Sequence, residues 1–276
     1  MAFAGQVVWI TGASSGIGAA MARSLAAQGA QLILSGRNEA ALAEIASHCG
    51  DAMVLPFEAT DHAAAADAAD KAWAWQGRID MLVNNAGISQ RSLAIDTAFP
   101  VYERIVAVDL LAPIALTQAL LPRMAAREAG RIVMISSVAG KVGSPMRTAY
   151  SAAKFGLFGY SDALRAEVAG LGIKVHVIAP GSIRTNVSRN ALAADGSKRG
   201  VSDKAIENGL DPDAAVARML EAIATDERET IVAEGMELQI GELRRTPDAL
   251  HDQMAAVVAA GYAQKMDAQM EEGASQ

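Results

Sequence analysis

One cysteine, Cys49, occurs among 276 residues. A lone cysteine excludes an intrachain disulfide and suits a reducing compartment. Nothing in its neighbourhood, SHCG, would activate the thiol, so Cys49 reads as an ordinary cysteine. Histidine is equally sparse. His48, His62, His176 and His251 show no metal-ligand spacing, and no metal site is expected. Aromatic residues make up only 4% of a chain that is 51% hydrophobic, so Ala, Val, Ile and Leu must fill its core. Positive charge is also short: 24 Lys and Arg stand against 31 Asp and Glu, a net charge of −7. Such a chain has no general attraction for a phosphate backbone, which argues against nucleic acid as a partner. A local basic pocket for one phosphate stays open. An uninterrupted apolar run long enough to span a bilayer is missing, because IVAVDLLAPIALTQALLP carries Asp109, Pro113 and Gln118. The opening MAFAGQVVWITG lacks the basic start and long apolar region of a signal peptide. A soluble, cytoplasmic protein without an integral membrane segment is expected.

What is present has a rhythm. Seven short apolar runs read as strands: Val7–Ile10, Leu32–Leu34, Met53–Phe57, Met81–Asn84, Ile132–Ser136, Val175–Ala179 and Thr230–Ala233. They are continuous rather than alternating, as in a parallel sheet buried on both faces. Ala-rich segments of helical length lie between them, and Gly29 and Gly50 follow two of these where helix C-termini are expected. The alternation predicts a single doubly wound α/β domain over residues 1–240, with right-handed crossovers. Two regions depart from it. Residues 185–209 form a long polar stretch, expected as a functional substrate loop. Residues 241–276 carry a helical Ala, Val and Met stripe, expected as a C-terminal helical extension of the same domain. That stripe has three options: the body of the domain, another subunit, or a membrane surface.

The first predicted strand runs into Thr11, Gly12, Ser14, Ser15, Gly16, Ile17 and Gly18, and then into a helix. Glycines there let the backbone approach a pyrophosphate, while the helix N-terminus supplies N–H groups and a positive dipole end. Spacing of the G-x3-G-x-G kind is weak alone; its place between strand and helix makes it strong. A Rossmann-type dinucleotide site follows. The second strand ends in Ser35, Gly36 and Arg37, where NAD binders commonly carry an acid for the ribose hydroxyls. A guanidinium there pairs with a 2′-phosphate, so NADP is preferred. NAD stays the alternative, since Glu39 is within reach of a ribose.

YSAAK places Tyr150 and Lys154 four residues apart, on one face of a helix. A free phenol, with a pKa of about 10, is a poor base near neutrality, and an adjacent ammonium favours the phenolate. The two read as a proton-transfer pair. With TGASSGIG (Thr11–Gly18), NNAG (Asn84–Gly87), ISS (Ile135–Ser137) and PGSIRT (Pro180–Thr185), they stand in the order of the short-chain dehydrogenase/reductase family. The chain resembles its compact, non-extended type from about Gly5 to about Asn190, and more weakly to about Ala233. The stretch TNVSRNALAADGSKRGV further resembles the dehydrogenase/reductase member 7 branch.

The resemblance implies a seven-stranded parallel sheet flanked by helices, hydride transfer with a nicotinamide coenzyme, and a homo-oligomer, dimer or tetramer. It makes Tyr150 the acid/base, Ser137 the hydrogen-bond partner of the substrate oxygen, and Lys154 a holder of the nicotinamide ribose. Asp109 stands where the family carries an Asn, and activity is expected to survive with an altered pH profile. Asn85 and Gly87 would border the adenosine, and Glu58, usually Asp in the family, would contact the adenine. Ile183 and Thr185 would bind the carboxamide, on a turn shaped by Pro180 and Gly181. Val138, Val142, Met146, Val187 and Leu192 are candidate pocket walls for a fairly apolar small-molecule alcohol or ketone. Two other readings compete: a coenzyme-binding redox sensor or scaffold that has lost catalysis, and a sugar-nucleotide epimerase.

Overall fold

The computed structural model describes residues 2–242 and residue 256. The expected extension over 241–276 lies outside the described residues, apart from positions 241, 242 and 256. Seven parallel strands form one sheet: β1 (Val7–Thr11), β2 (Gln31–Ser35), β3 (Ala52–Val54), β4 (Met81–Asn84), β5 (Gly130–Ile135), β6 (Ile173–Pro180) and β7 (Glu229–Val232). Their order across the sheet is β3-β2-β1-β4-β5-β6-β7. Each expected run therefore becomes a strand; Met81–Asn84 keeps its bounds as β4 and the others have shifted ends. The largest shift is at β3, which stops at Val54 instead of reaching Phe57. Pro56 has no N–H to give a ladder, which favours an early end.

Alternate residues of each strand feed two cores. Val8 and Ile10 join Leu32, Leu34, Val83 and Val133 under α1 (Gly16–Ala27), α2 (Glu39–Ala46) and α8 (Pro212–Ala224), the last contributing Val216, Met219 and Leu220. Val7 and Trp9 join Leu82, Ile132 and Met134 on the other face. There they meet α3 (His62–Gln76) through Ala65 and Ala69, α5 (Ala112–Ala126) through Leu116 and Leu120, and α6 (Thr148–Val168) through Leu157. The small residues on α3 fit the shortage of aromatics and let the helix lie close to the sheet. Helix starts follow from local chemistry: Asn38 accepts from the Ala41 N–H, and Asp61 from the Ala64 N–H, each at 3.1 Å.

Among the described residues the remaining α-helices named are α4 (Phe99–Val106), the short α7 (Lys204–Glu207) inside the expected loop, and α9 (Gly235–Glu242). A π-helical turn, Ala107–Leu111, joins α4 to α5. Together they make a continuous 28-residue helix, Phe99–Ala126, long and apolar enough by length and composition to cross a membrane. Leu116, Leu120 and Met124 of this helix lie in the second core, as in the central helix of a globular domain. All strands run the same way, but the direction in which successive strands are added reverses between β1 and β4, the switch point where such sheets open a crevice at their carboxyl ends.

Leu82 is fully buried at the middle of β4, paired with Trp9 on β1 and Ile132 on β5. Leu82→Ala is expected to lower unfolding stability by about 2–5 kcal/mol, read from urea denaturation midpoints at unchanged slope.

Candidate active site

Residues just beyond the ends of β1, β4, β5 and β6 enclose a cleft of about 590 Å³. Its floor at β1 is the glycine loop. Gly12 and Gly16 have φ of +66° and +55°, a region that strains other residues. A Cβ on Gly18 would lie 2.3 Å from the Gly12 carbonyl oxygen, so loop and helix close up only around glycine. Ser15 is the N-cap of α1 but makes no side-chain cap bond, which leaves the first-turn N–H groups without a side-chain partner there. A pyrophosphate suits those donors, and Ser14, Ser15, Gly16 and Ile17 all line the cleft beside them.

Asn85 braces this loop. Its Nδ2 donates to the Thr11 and Gly12 carbonyls at 2.9 and 3.2 Å. The Thr11 hydroxyl in turn accepts the Asn85 and Ala86 N–H groups at 3.0 and 3.1 Å. Thr11 and Gly18 were both expected against the coenzyme. Neither lines the cleft: Thr11 is committed to tying β1 to β4, and Gly18 to packing on Gly12. The other expected residues, among them Gly87, Pro180, Gly181, Ile183 and Thr185, do line it. Arg37 and Glu58 stand at the far end. Glu39 opens α2 on a shallow depression with Ser14, Arg37 and Asn38.

The reacting end is built around Lys154. Its ammonium donates to the Ile135 carbonyl at 3.0 Å and lies 3.4 Å from Asp109 Oδ2. It also sits 5.7 Å from the centre of the Tyr150 ring, one helical turn away on α6. Asp109 is fully buried, carried inward by the π-helical turn. Its Oδ1 accepts the Ile88 N–H at 2.8 Å. Oδ2 has the Lys154 charge beside it but no well-aligned hydrogen bond among the described residues. Burial raises the Asp109 carboxyl above the usual range, against the opposing pull of Lys154 and the Ile88 N–H.

The two serines after β5 divide their work. Ser136 donates to the Lys154 carbonyl at 2.9 Å and so fixes α6. Ser137 caps a short 3₁₀ turn: its hydroxyl accepts the Ala139 N–H at 3.1 Å, and its contact to the Pro180 carbonyl is long, 3.4 Å. Its hydroxyl proton is thus weakly held, as a group donating to a substrate oxygen requires.

The expected substrate loop is more ordered than its composition implied. Asp203 gathers three arginines: Arg91 at 2.6 Å, Arg147 at 3.8 Å, and Arg199. Although burial opposes it, hydrogen bonds from Arg199 and Arg91 hold the Asp203 carboxyl below the usual range. A bridge from Gln90 to Leu192 joins the loop to the strand-end segment after β4. Of the five expected apolar walls, Val187 lines the cleft. Leu192 instead packs, as Tyr150 does, on a side cluster of Val101, Ile105, Ala149 and Ala153, and Met146 is exposed. Asn186, Asn190, Lys198 and Ile206 complete the substrate end, so the wall is mixed rather than apolar.

Sequence reasoning also missed Arg104, which lines the cleft from α4, and Glu237 of α9, which lies outside the cleft lining and acts on the turn after β6. Glu237 accepts the Ser182 N–H at 2.6 Å and its hydroxyl at 2.8 Å, holding the turn after β6. No motif marks either residue, because their partners are far away in sequence.

A family model described as short chain dehydrogenase matches residues 6–196. The Danio rerio protein "Dehydrogenase/reductase SDR family member 7B" is 40% identical over 238 residues, 83% of this chain and 77% of the relative. A short-chain dehydrogenase structure from Streptomyces avermitilis superposes with a TM-score of 0.76 at 31% identity, covering 94% of this chain and 99% of its own. A metagenomic short-chain oxidoreductase in complex with NADP superposes at 0.70, also at 31% identity, covering 86% and 100%.

Asp109 generates a pH prediction. A raised folded-state pKa means that the native state holds this proton more tightly than the unfolded chain does. Its contribution is fully present below the unfolded value of about 4 and is lost as pH rises through the folded value. Asp109→Asn removes that slope. In urea denaturation from about pH 4 to about pH 8, the variant is expected to gain on the wild type as pH rises. A stability difference that stays constant across that range would contradict this.

Proposed function

Since the chain belongs to the short-chain dehydrogenase family and is an NAD(P)-dependent oxidoreductase, we propose that it interconverts a secondary alcohol and a ketone with NADP(H), using Tyr150 as acid/base. The observation that carries this reading is the convergence of Ser137, Tyr150 and Lys154 in one cleft with the glycine loop. The coenzyme, when bound, supplies or accepts the hydride. The chain's own residues do the rest. The glycine loop and the α1 N-terminus hold the pyrophosphate. The turn Pro180–Thr185 sets which nicotinamide face meets the substrate. Ser137 donates a hydrogen bond to the substrate oxygen and polarises its carbonyl. Tyr150 gives its phenolic proton to that oxygen in reduction, or takes the alcohol's proton in oxidation. Lys154, kept in place by Ile135 and Asp109, stabilises the phenolate that remains.

Arg37, lining the cleft, supports the NADP preference, and the NADP-bound neighbour supports a nicotinamide coenzyme. The mixed wall of Val187, Ile206, Asn186, Asn190 and Lys198 fits a substrate with an apolar part and a hydrogen-bonding part. Cys49, buried and unpaired, fits a reducing compartment, and we extend the reading to a cytoplasmic homo-oligomer.

Coenzyme absorbance is the direct assay, with NADPH and NADH separately across ketones and aldehydes. Tyr150→Phe is expected to lose turnover by at least about a hundredfold while still binding coenzyme by fluorescence. Arg37→Ala is expected to raise KM for NADPH by about tenfold and to leave NADH unchanged. A Tyr150→Phe enzyme that turns over at the wild-type rate would overturn the acid/base assignment.

A further inference from the structure

The adenosine end of the cleft holds a second guanidinium that no sequence motif points to. Arg104 lines the cleft from α4, beside Arg37, Phe57 and Glu58. It lies one helical turn before Val108, which lines the same cleft, so this helix face looks into the coenzyme space. Arg104 Nη2 is 3.5 Å from Glu58 Oε2, and Arg37 Nη1 is 3.9 Å from that same oxygen. The other oxygen, Oε1, accepts the Thr60 N–H at 3.2 Å and the Thr60 hydroxyl at 3.0 Å. One carboxylate oxygen is thus fixed to the chain while the other draws guanidiniums from two separate elements. Against the effect of partial burial, these Thr60 bonds and the two arginines hold the Glu58 carboxyl below the usual range.

Two guanidiniums from separate elements thus share one carboxylate oxygen at this end of the cleft. We propose that Arg104 is a second coenzyme-specificity residue, which together with Arg37 takes the phosphate on the adenosine ribose, with Glu58 serving as the anchor that holds both guanidiniums. The chemistry follows from valence. A ribose phosphate presents three acceptor oxygens and close to two negative charges. One planar guanidinium satisfies two of those oxygens through its fork, and a second reaches the third. A free ribose hydroxyl offers neither the charge nor the acceptors, so the pair discriminates between the two coenzymes. Glu58, tied up by Thr60 and the arginines, then acts on the guanidiniums more than on the adenine.

This inference rests on the reading of the cleft as an NADP(H) site, and the experiment separates the two. Binding of 2′,5′-ADP and of 5′-ADP is measured by titration calorimetry on the full chain, for wild type, Arg104→Ala and Arg104→Gln. Wild type is expected to bind 2′,5′-ADP the more tightly. Both variants are expected to lose about tenfold in 2′,5′-ADP affinity and to keep their 5′-ADP affinity, which also reports that they are folded. Variants that keep the wild-type ratio of the two affinities would overturn the role of Arg104. An equal loss of both ligands would overturn it as well, assigning the residue to the adenine or to the fold. A wild type that binds both ligands alike would sink the NADP reading itself, and the proposal with it, before any substitution is made.

Discussion

Lys154 carries an ammonium to a place that water scarcely reaches, and the surrounding elements are arranged to make that tolerable. A buried cation is costly unless it is paired and hydrogen-bonded. The end of β5 supplies the Ile135 carbonyl, and the π-helical turn supplies Asp109. The segment after β4 steadies Asp109 through the Ile88 N–H. Space is part of the arrangement. A Cβ on Gly87 would come within 3.4 Å of both Asp109 and Lys154, and one on Gly140 within 2.7 Å of the Lys154 carbonyl. Small residues therefore stand where the backbone must close around the pair. Tyr150 inherits its position from this arrangement, since both residues ride on the same helix.

An Asp where the family carries Asn changes the electrostatics more than the shape. The carboxylate is the better partner for Lys154 and the worse one for a dry interior, and its raised proton affinity records that conflict. The π-helical turn matters here. By adding a residue to the local ladder it turns Asp109 inward at the middle of a long helix. From the sequence Asp109 both interrupts an apolar run and stands at the position of the family's Asn. In the fold it is the point at which that helix touches the chemistry.

The sheet was legible because its strands are buried on both faces and so read as unbroken apolar runs. Ser137, Tyr150 and Lys154 were legible because strand end and helix turn fix their spacing locally. What escaped is what depends on contacts between distant segments. Arg104 shares its carboxylate with Arg37 only because α4 and the segment after β3 meet across the cleft. Thr11 and Gly18 match the expected motif, yet they serve the loop's own closure. The apolar wall was misjudged because loop residues follow no period from which facing could be read. The loop is instead pinned by Asp203, which pairs with Arg91, Arg147 and Arg199.

Glu237 grips the Ser182 N–H and hydroxyl from α9, at the turn after β6 that borders the cleft. A ribosome makes the chain from its N-terminus, so Ser137, Tyr150 and Lys154 emerge long before this clasp exists. The nascent protein passes through a stage with its reactive side chains made and the turn opposite them still unfastened. The Ser182 turn therefore gains this clasp only after residue 237 has left the exit tunnel.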